Sequence, residues 1–592
     1  MLFNLLRWLD ASPAHYWSVA WTAFGCVLVL ALLAVFFPRE RVWWQHPVLF
    51  SVGMLVVLLA FRWPVLFDNR QYPDPDESQL IAGALTLRHD PIFWRSVDGS
   101  THGPVDEWPL LPPLFARGSL DFTTARIVST LLAWIEVVSA WLIFRHLYGI
   151  KAAGLLVLPL LAAHGFTHAW SFVAYCSEHV PDALLAVACW LLLTAWHRSG
   201  AGPPSLNRLF AAGILLGAVS FAKLQAVPIS AVALAGGALF VLADGSSSWR
   251  QRGRAFGALF GGTAVMPAII LGTVLVCGIW SDFLHSYVLD NIRFGSSSAP
   301  TETSVNAGHL LNNVRFAGDR EFTWAEAPRM LIELGGSIFG FNEFFLWLVA
   351  FGGCGLLFLP CFTQWHRRCA AFAAAVLLVA VLAALAPGRA FIHYLQIIVF
   401  PAGLFGGLIT GAMLERVPSE GAIVGIPVRV VRIIVIIAFI TCGLLPQIWW
   451  RAHEPQPFVG QFTATQGALA QSEVSREILR HANPGERLGM WGWMPVFWVE
   501  TGTIQATRDG NDSRQMDPYR FRAYFRARFI GDLLRARPPV FIDAVGPGNF
   551  VYKDRAKSGH EIFPELRDYI AENYHMVCDV EGTRVYVRND RL

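Results

Sequence analysis

Charge is scarce in this chain. Only 15% of its 592 residues are Asp, Glu, Lys or Arg, while 54% are hydrophobic. A soluble chain carries charge on about a quarter of its residues, so the composition excludes an ordinary soluble protein and indicates a membrane one. Lysine is scarcer still: Lys151, Lys223, Lys553 and Lys557 are the full set. With abundant Ala and Gly, that bias toward arginine points to a bacterium with a GC-rich genome. No basic stripe or nucleic-acid motif is present, which sets that class of partner aside. No Gly-rich phosphate loop is present, so no nucleotide site is indicated. The nine cysteines form no CxxC pair or metal spacing. Most lie inside apolar runs; Cys176 and Cys578 do not, and are the pair a disulfide would use. The first long apolar run lacks a small-residue cleavage site after it, so no cleavable signal peptide is expected. There is no internal repeat and no low-complexity linker.

What the chain does have is apolar runs of membrane length. A spanning helix needs ~20 mostly apolar residues. Twelve segments qualify: roughly 16–37, 47–67, 126–146, 152–168, 181–197, 209–223, 226–243, 256–278, 342–361, 369–387, 391–413 and 431–450. The positive-inside rule orients them. Arg39 and Arg41, Arg145 and Lys151, Arg198 and Arg208 fall in alternate connections. So do Arg250, Arg252 and Arg254, then Arg367 and Arg368, then Arg416, Arg429 and Arg432. That set is expected to be cytoplasmic. Both termini and the long loops then fall outside.

The expected architecture is a multi-pass α-helical membrane domain of about 12 transmembrane helices over residues 1–450, with a soluble α/β domain over 451–592. Residues 68–125 form a first outer loop and 280–341 a later one. In the tail, "RLGMWGW" and "PPVFIDAV" read as buried strands, "FRARFIGDLLRA" and "FPELRDYIAENY" as helices, and "RVYVRND" as a final strand. In the first loop, "ESQLIAGALTL" reads as an amphipathic helix lying on the membrane surface.

The first loop also concentrates acid. "QYPDPDESQL" holds Asp74, Asp76 and Glu77 within four positions. One reading is a solvated cluster that caps the following helix, with Asp76 or Ser78 as the N-cap. The other is a base or metal ligand at the water–lipid boundary. Two further clusters are "THGPVDEW", with His102, Asp106 and Glu107, and "YCSEHVPDA", with Glu178, His179 and Asp182. Four positions oppose the inner-positive bias: Lys223 in "SFAKLQAVP", Arg389 and His393 in "APGRAFIHYLQ", and Arg293 in "HSYVLDNIRFG". Cations there need anionic partners, either these carboxylates or a phosphate, which an arginine fork grips well.

Taken in order, these pieces resemble the integral-membrane GT-C glycosyltransferases that use polyprenyl-phosphate sugars, the broad group of protein O-mannosyltransferases and lipid A aminoarabinose transferases. The marks are Asp76-Glu77 followed by "SQLIAGALTL", then "THGPVDEWPL", "YCSEHVPDALL", "AKLQAVP", "APGRAFIHYLQIIVFP" and, in the tail, "MWGWMPVFWVETGTIQATR". The chain departs from the group in placing two apolar helices, not one, before the acidic loop. The resemblance implies a donor sugar on a polyprenyl phosphate and an acceptor hydroxyl on a cell-envelope glycan, lipid or protein. It implies Asp76 as general base, with Glu77 in support. It implies Lys223, Arg389, His393 and Tyr394 on the donor phosphate, and His102, Glu178 and Arg293 toward the acceptor. A divalent cation among the acids stays open. The implied place is the bacterial inner membrane, active on its periplasmic face. A transporter or flippase of lipid-linked sugars is the rival reading, since twelve helices with intramembrane charges suit it too. An oligosaccharide ligase or polymerase is a further rival, with its reactive loop late in the chain.

Overall fold

The computed structural model describes residues 2–36, 46–67, 74–167, 169–197, 202–291, 324–338, 340–358, 362–388, 391–416, 422–423, 426–453, 471–516 and 520–592. After a short α1 (Leu2–Asp10) come α2 (Pro13–Phe36) and α3 (Pro47–Leu66). The acid-bearing α4 (Pro75–Leu87) follows. The bundle continues with α5 (Phe122–Tyr148), α6 (Ile150–Phe166), α7 (His179–Leu193), α8 (Leu206–Val219), α9 (Val227–Ala243) and α10 (Trp249–Val276). It closes with α11 (Phe341–Phe358), α12 (Gln364–Leu385), α13 (Gln396–Arg416), α14 (Val428–Gly443) and α15 (Leu445–His453).

Among the described residues, 8 spans are long and apolar enough to cross a membrane, and four shorter apolar helices join them. Together they coincide with the twelve runs read from the sequence. These helices pack through one continuous apolar core that includes Met54, Val137, Phe144, Leu161, Leu192, Trp347 and Phe400. Where backbones approach closely, small residues allow it: a Cβ on Gly213 would meet the Leu259 carbonyl at 2.2 Å, the small-residue logic of packing in lipid. Two long apolar helices precede the acidic loop, so the departure from the one-helix pattern is a structural fact. Helix alternation puts the N-terminus at the same end of the bundle as α4. Arg145, Lys151, Arg250 and Arg367 fall at the opposite end.

The tail begins with α16 (Glu473–His481) and forms a five-stranded mixed sheet. Its strands are β1 (Arg487–Trp491), β2 (Ile504–Gln505), β3 (Val540–Asp543), β4 (Tyr574–Val580) and β5 (Thr583–Arg588), in the order β2-β1-β3-β5-β4. β1 runs parallel to β2 and β3, and β5 runs antiparallel to β3 and β4. β3 is buried along its length, and its apolar run Val540–Ile542 is what a strand inside a covered sheet requires. α17 (Val496–Thr501), α18 (Arg522–Ala536) and α19 (Pro564–Asn573) connect and cover the sheet. All five tail elements read from the sequence are present. Cys176 and Cys578 are free thiols, so no disulfide joins them.

One expectation fails. α4 does not lie on the membrane surface: every residue from Glu77 to Leu87 is buried. Its periodicity marks one apolar face toward the bundle, but the tail covers the other. The Gln505 N–H donates to the Thr86 hydroxyl at 3.1 Å, and the Trp493 indole donates to the Gln79 amide oxygen at 3.2 Å. A contact made across some four hundred residues leaves no local periodicity to read.

Candidate active site

The start of α4 sets the site. Asp74, not Asp76 or Ser78, is the N-cap: its carboxylate accepts the Asp76 N–H at 2.9 Å, and Pro75 takes the first helical position. Successive helical residues point ~100° apart, and the next two acids part company. Glu77 turns into the core. There it is fully buried and accepts from the Arg126 guanidinium at 2.9, 3.1 and 3.2 Å and from the Tyr175 N–H at 3.1 Å. Arg126 in turn lies 4.1 Å from the Trp170 ring centroid and donates to the Val65 carbonyl at 3.2 Å. Glu77 therefore anchors the base of α4 to α5.

Asp76 turns the other way. It keeps 41% of its side-chain surface open beside the fully buried Glu178, at the edge of a recess. His393 Nε2 lies 4.0 Å from Asp76 Oδ2 and 3.9 Å from Glu178 Oε1. His393 belongs to the 3₁₀ turn Ile392–Leu395 that leads into α13. Glu178 sits at the head of α7, fully buried, paired with Lys223. The Lys223 ammonium also donates to the Ser177 hydroxyl at 2.7 Å and stands 5.1 Å from the Tyr394 ring centroid. Five of the nine residues singled out from the sequence, Asp76, Glu178, Lys223, His393 and Tyr394, thus meet at one end of the bundle. Arg389 and Arg293 lie outside the described residues.

The backbone around Lys223 is held by the first loop. His102 pairs with Lys223 as an isolated bridge, and Gly103 N–H donates to the Ala222 carbonyl at 2.7 Å. Only glycine fits at 103, because a Cβ there would meet the Phe221 carbonyl at 2.3 Å. His102 is buried, its Nε2 3.3 Å from Glu107 Oε1. Burial and the nearby Lys223 charge push its imidazole down to about 3, so it is neutral at physiological pH.

The electrostatics separate the acids. Burial raises the Asp76 carboxyl to about 6, with Lys223 opposing and Glu178 adding to the rise. Burial and the neighbouring Asp76 charge raise Asp74 to about 7, so these two titrate as a pair. Burial also pushes Glu178 upward, but the Lys223 charge outweighs it and holds that carboxyl below its usual range. Asp106 is fully buried, and neither of its carboxylate oxygens has a hydrogen-bond partner among the described residues. Burial pushes it well above the usual carboxylate range.

Arg126 and Ser177 escaped the sequence reading. Arg126 carried a usable signal. It is an arginine at the acid-bearing end of a span, and the argument that flagged Lys223 applies to it equally. Among the described residues the cluster with metal-ligand spacing lies elsewhere, at Asp543, His560 and Glu561 in the tail. Asp543 already accepts from His560 Nδ1 and Arg555 Nη1, each at 2.6 Å, and Glu561 from Arg584 at 2.8 Å. Those acids are engaged by guanidinium groups.

No protein-family model matches this chain, and no curated protein matches it. Solved structures do. ArnT from Cupriavidus metallidurans bound to undecaprenyl phosphate superposes with a TM-score of 0.53 at 14% identity, over 91% of this chain and 97% of that one. The apo state of the same protein gives 0.46 at 13% identity, over 90% and 98%. The oligosaccharyltransferase AglB from Archaeoglobus fulgidus, in complex with an inhibitory peptide and a dolichol-phosphate, gives 0.39 at 12% identity, over 85% and 70%. The first of these likenesses establishes the fold. This is a multi-pass membrane protein of GT-C architecture with a C-terminal α/β domain.

Proposed function

We propose that the protein is a membrane glycosyltransferase. It moves a sugar from a polyprenyl-phosphate donor to the hydroxyl of an envelope glycan, lipid or protein, on the periplasmic face of a bacterial inner membrane. The observation that carries this reading is Asp76: an open carboxylate facing His393, with its affinity for protons raised toward neutrality. A general base works best with a pKa near the operating pH. The donor class rests on the shared fold with a protein that binds undecaprenyl phosphate.

In the reaction, Asp76 takes the proton of the acceptor hydroxyl as its oxygen attacks the anomeric carbon. The bond from that carbon to the phosphate oxygen breaks with its electron pair, and the configuration inverts. Polyprenyl phosphate leaves with added negative charge. Lys223 and Arg389 supply the positive charge that receives it, and His393 and Tyr394 assist as hydrogen-bonding groups. Glu178 holds Lys223 in place and tempers its charge. Glu77 positions Asp76 through the Arg126 anchor. His102 and Arg293 belong to the acceptor side. The reaction as written needs no metal.

Purified protein in detergent, given radiolabelled polyprenyl-phosphate sugars and extracted envelope fractions, tests this. Label transfer that disappears in Asp76→Asn supports it. Label that crosses liposomes without transfer identifies a transporter instead.

A further inference from the structure

Helix α1, "LFNLLRWLD", is too short to span a membrane and lies outside the recess. Successive helical positions turn by about 100°. That gathers Leu5, Leu6, Trp8 and Leu9 on one broad arc and Asn4, Arg7 and Asp10 on the other. The apolar arc is itself divided. α1 packs on α2, with Leu9 buried and Leu6 half-buried, while Leu5 and Trp8 are exposed. Asn4 and Arg7 are exposed on the polar side. One helix thus presents three sides: one to the bundle, an outward apolar one and a polar one.

A fixed elbow aims the outward apolar side. Pro13 begins α2 and disfavours a helical Ser12, so α1 cannot run straight on into the span. The Ser12 hydroxyl accepts from the Ala14 N–H at 3.1 Å, and His15 Nδ1 donates to the Trp8 carbonyl at 2.8 Å. The Trp8 indole stacks on the His15 ring, with 4.3 Å between centroids and 10° between planes. His15 heads a row on α2 at helical spacing: Val19, Thr22, Cys26, Val29 and Leu33, all exposed. On a membrane-length span that row is the lipid-facing one. Trp8, stacked at its head, and Leu5, one turn further on, extend the same side.

Height follows from length. α2 has 24 residues, about 36 Å at 1.5 Å per residue, against about 30 Å of hydrocarbon. Its ends therefore emerge at the two boundaries, and α1 lies across one of them. A second copy of the chain does not suit the outward side. Two large side chains fall far short of the ~800 Å² per partner that a stable dimer buries.

We propose that α1 is an in-plane anchor in the lipid headgroup boundary at the recess end of the bundle, with Leu5 and Trp8 inserted among the upper acyl carbons. Trp is enriched at that level, and amphipathic helices lie there with the apolar side down. Arg7 and Asp10 leave the side chains of α1 without net charge. The anchor therefore holds by apolar contact and not by attraction to anionic lipid. It fixes how deep the recess end sits, and it stands apart from the transferase reading.

The test uses the full-length protein in phosphatidylcholine vesicles, with and without phosphatidylglycerol. The variants are Leu5→Bpa, Trp8→Bpa and Arg7→Bpa, where Bpa is the photocrosslinking amino acid p-benzoylphenylalanine. Mass spectrometry after irradiation identifies what each position has captured. Acyl-chain adducts are expected at positions 5 and 8 in both kinds of vesicle, and their loss at position 7. Lipid adducts as abundant at position 7 as at position 5 overturn the proposal. So does capture of a second copy of the chain at position 5. Adducts that form only when phosphatidylglycerol is present overturn it as well, because the anchor would then be electrostatic.

Discussion

Two ionic clusters sit at the same end of this molecule, and they are built on opposite rules. The first joins the tail to the loop and to the helix Trp280–Phe283. Asp98 accepts from Arg528 at 2.7 Å and from Arg514 at 3.1 Å; Asp509 pairs with both arginines; Asp282 accepts from the Tyr524 hydroxyl at 2.8 Å. Nearly every carboxylate there is matched with a guanidinium. The second cluster is the recess. Glu77 and Glu178 are matched with Arg126 and Lys223, but Asp76 has no lysine or arginine against it among the described residues. Saturated pairs hold parts together. The acid left open is the one free to accept a proton.

The largest effect expected from breaking this contrast is on chemistry. Asp76→Asn should lower label transfer by about 10²–10⁴-fold, the usual worth of a general base, while the melting temperature stays put. Next comes the closed cluster. Arg528→Met leaves Asp98 and Asp509 buried with less cation, at a cost of about 3–5 kcal/mol, read as a lower denaturation midpoint and earlier proteolysis of the tail. Arg126→Met should cost a similar amount. The double variant Glu77→Leu/Arg126→Met should recover most of it, because no charge is then stranded.

The pH dependence of the two clusters should differ in kind. The base must be ionised, so transfer should rise with pH through about 6, the value to which burial raises Asp76, and fall about tenfold per unit below it. In the closed cluster the carboxylates part: burial raises Asp509 above its usual range, while Asp98 titrates lower. Burial pushes the Asp98 carboxyl up, but Arg514 and Arg528 outweigh it and hold the group well below its usual range. With the folded value depressed, its stabilisation is present above the unfolded carboxylate pKa of about 4 and fades as pH falls below that. Activity should thus be lost on acidification before the Asp98 pairs are, which parallel rate and proteolysis profiles would show. Lys223→Met should lower kcat, because the leaving phosphate loses its cation, and should lower the melting temperature as well, because it strands the buried Glu178 carboxylate.

Much of this was legible in the sequence, and for identifiable reasons. Apolar runs announce spans because lipid demands them, so the twelve segments correspond closely to helices. The acids and opposing cations stood out because charge is expensive at a membrane boundary. That cost explains why Asp76, Glu178, Lys223 and His393 converge. The missed residues were those whose meaning lies in a distant partner. Arg126 and Arg62 sit at the acid-bearing ends of their helices, against the sidedness rule, yet lie within or beside apolar runs that hid them. Arg62 Nε donates to the His164 carbonyl at 2.8 Å, 102 residues away. The surface helix expected over residues 77–87 became a buried one for the same reason: half of its surroundings come from the tail.

That last feature bears on how the protein is made. Thr86 and Gln505 are 419 residues apart and share a hydrogen bond. At a synthesis rate of roughly 5–20 residues per second, the helix carrying Asp76 waits about 20–80 seconds for the partner that covers it. Through that interval the bundle can insert strand by strand of sequence while its reactive carboxylate lacks a finished setting. Closure of the recess around Asp76 therefore waits for the tail, and a chain stalled before Gln505 would hold α4 in the bundle without its cover.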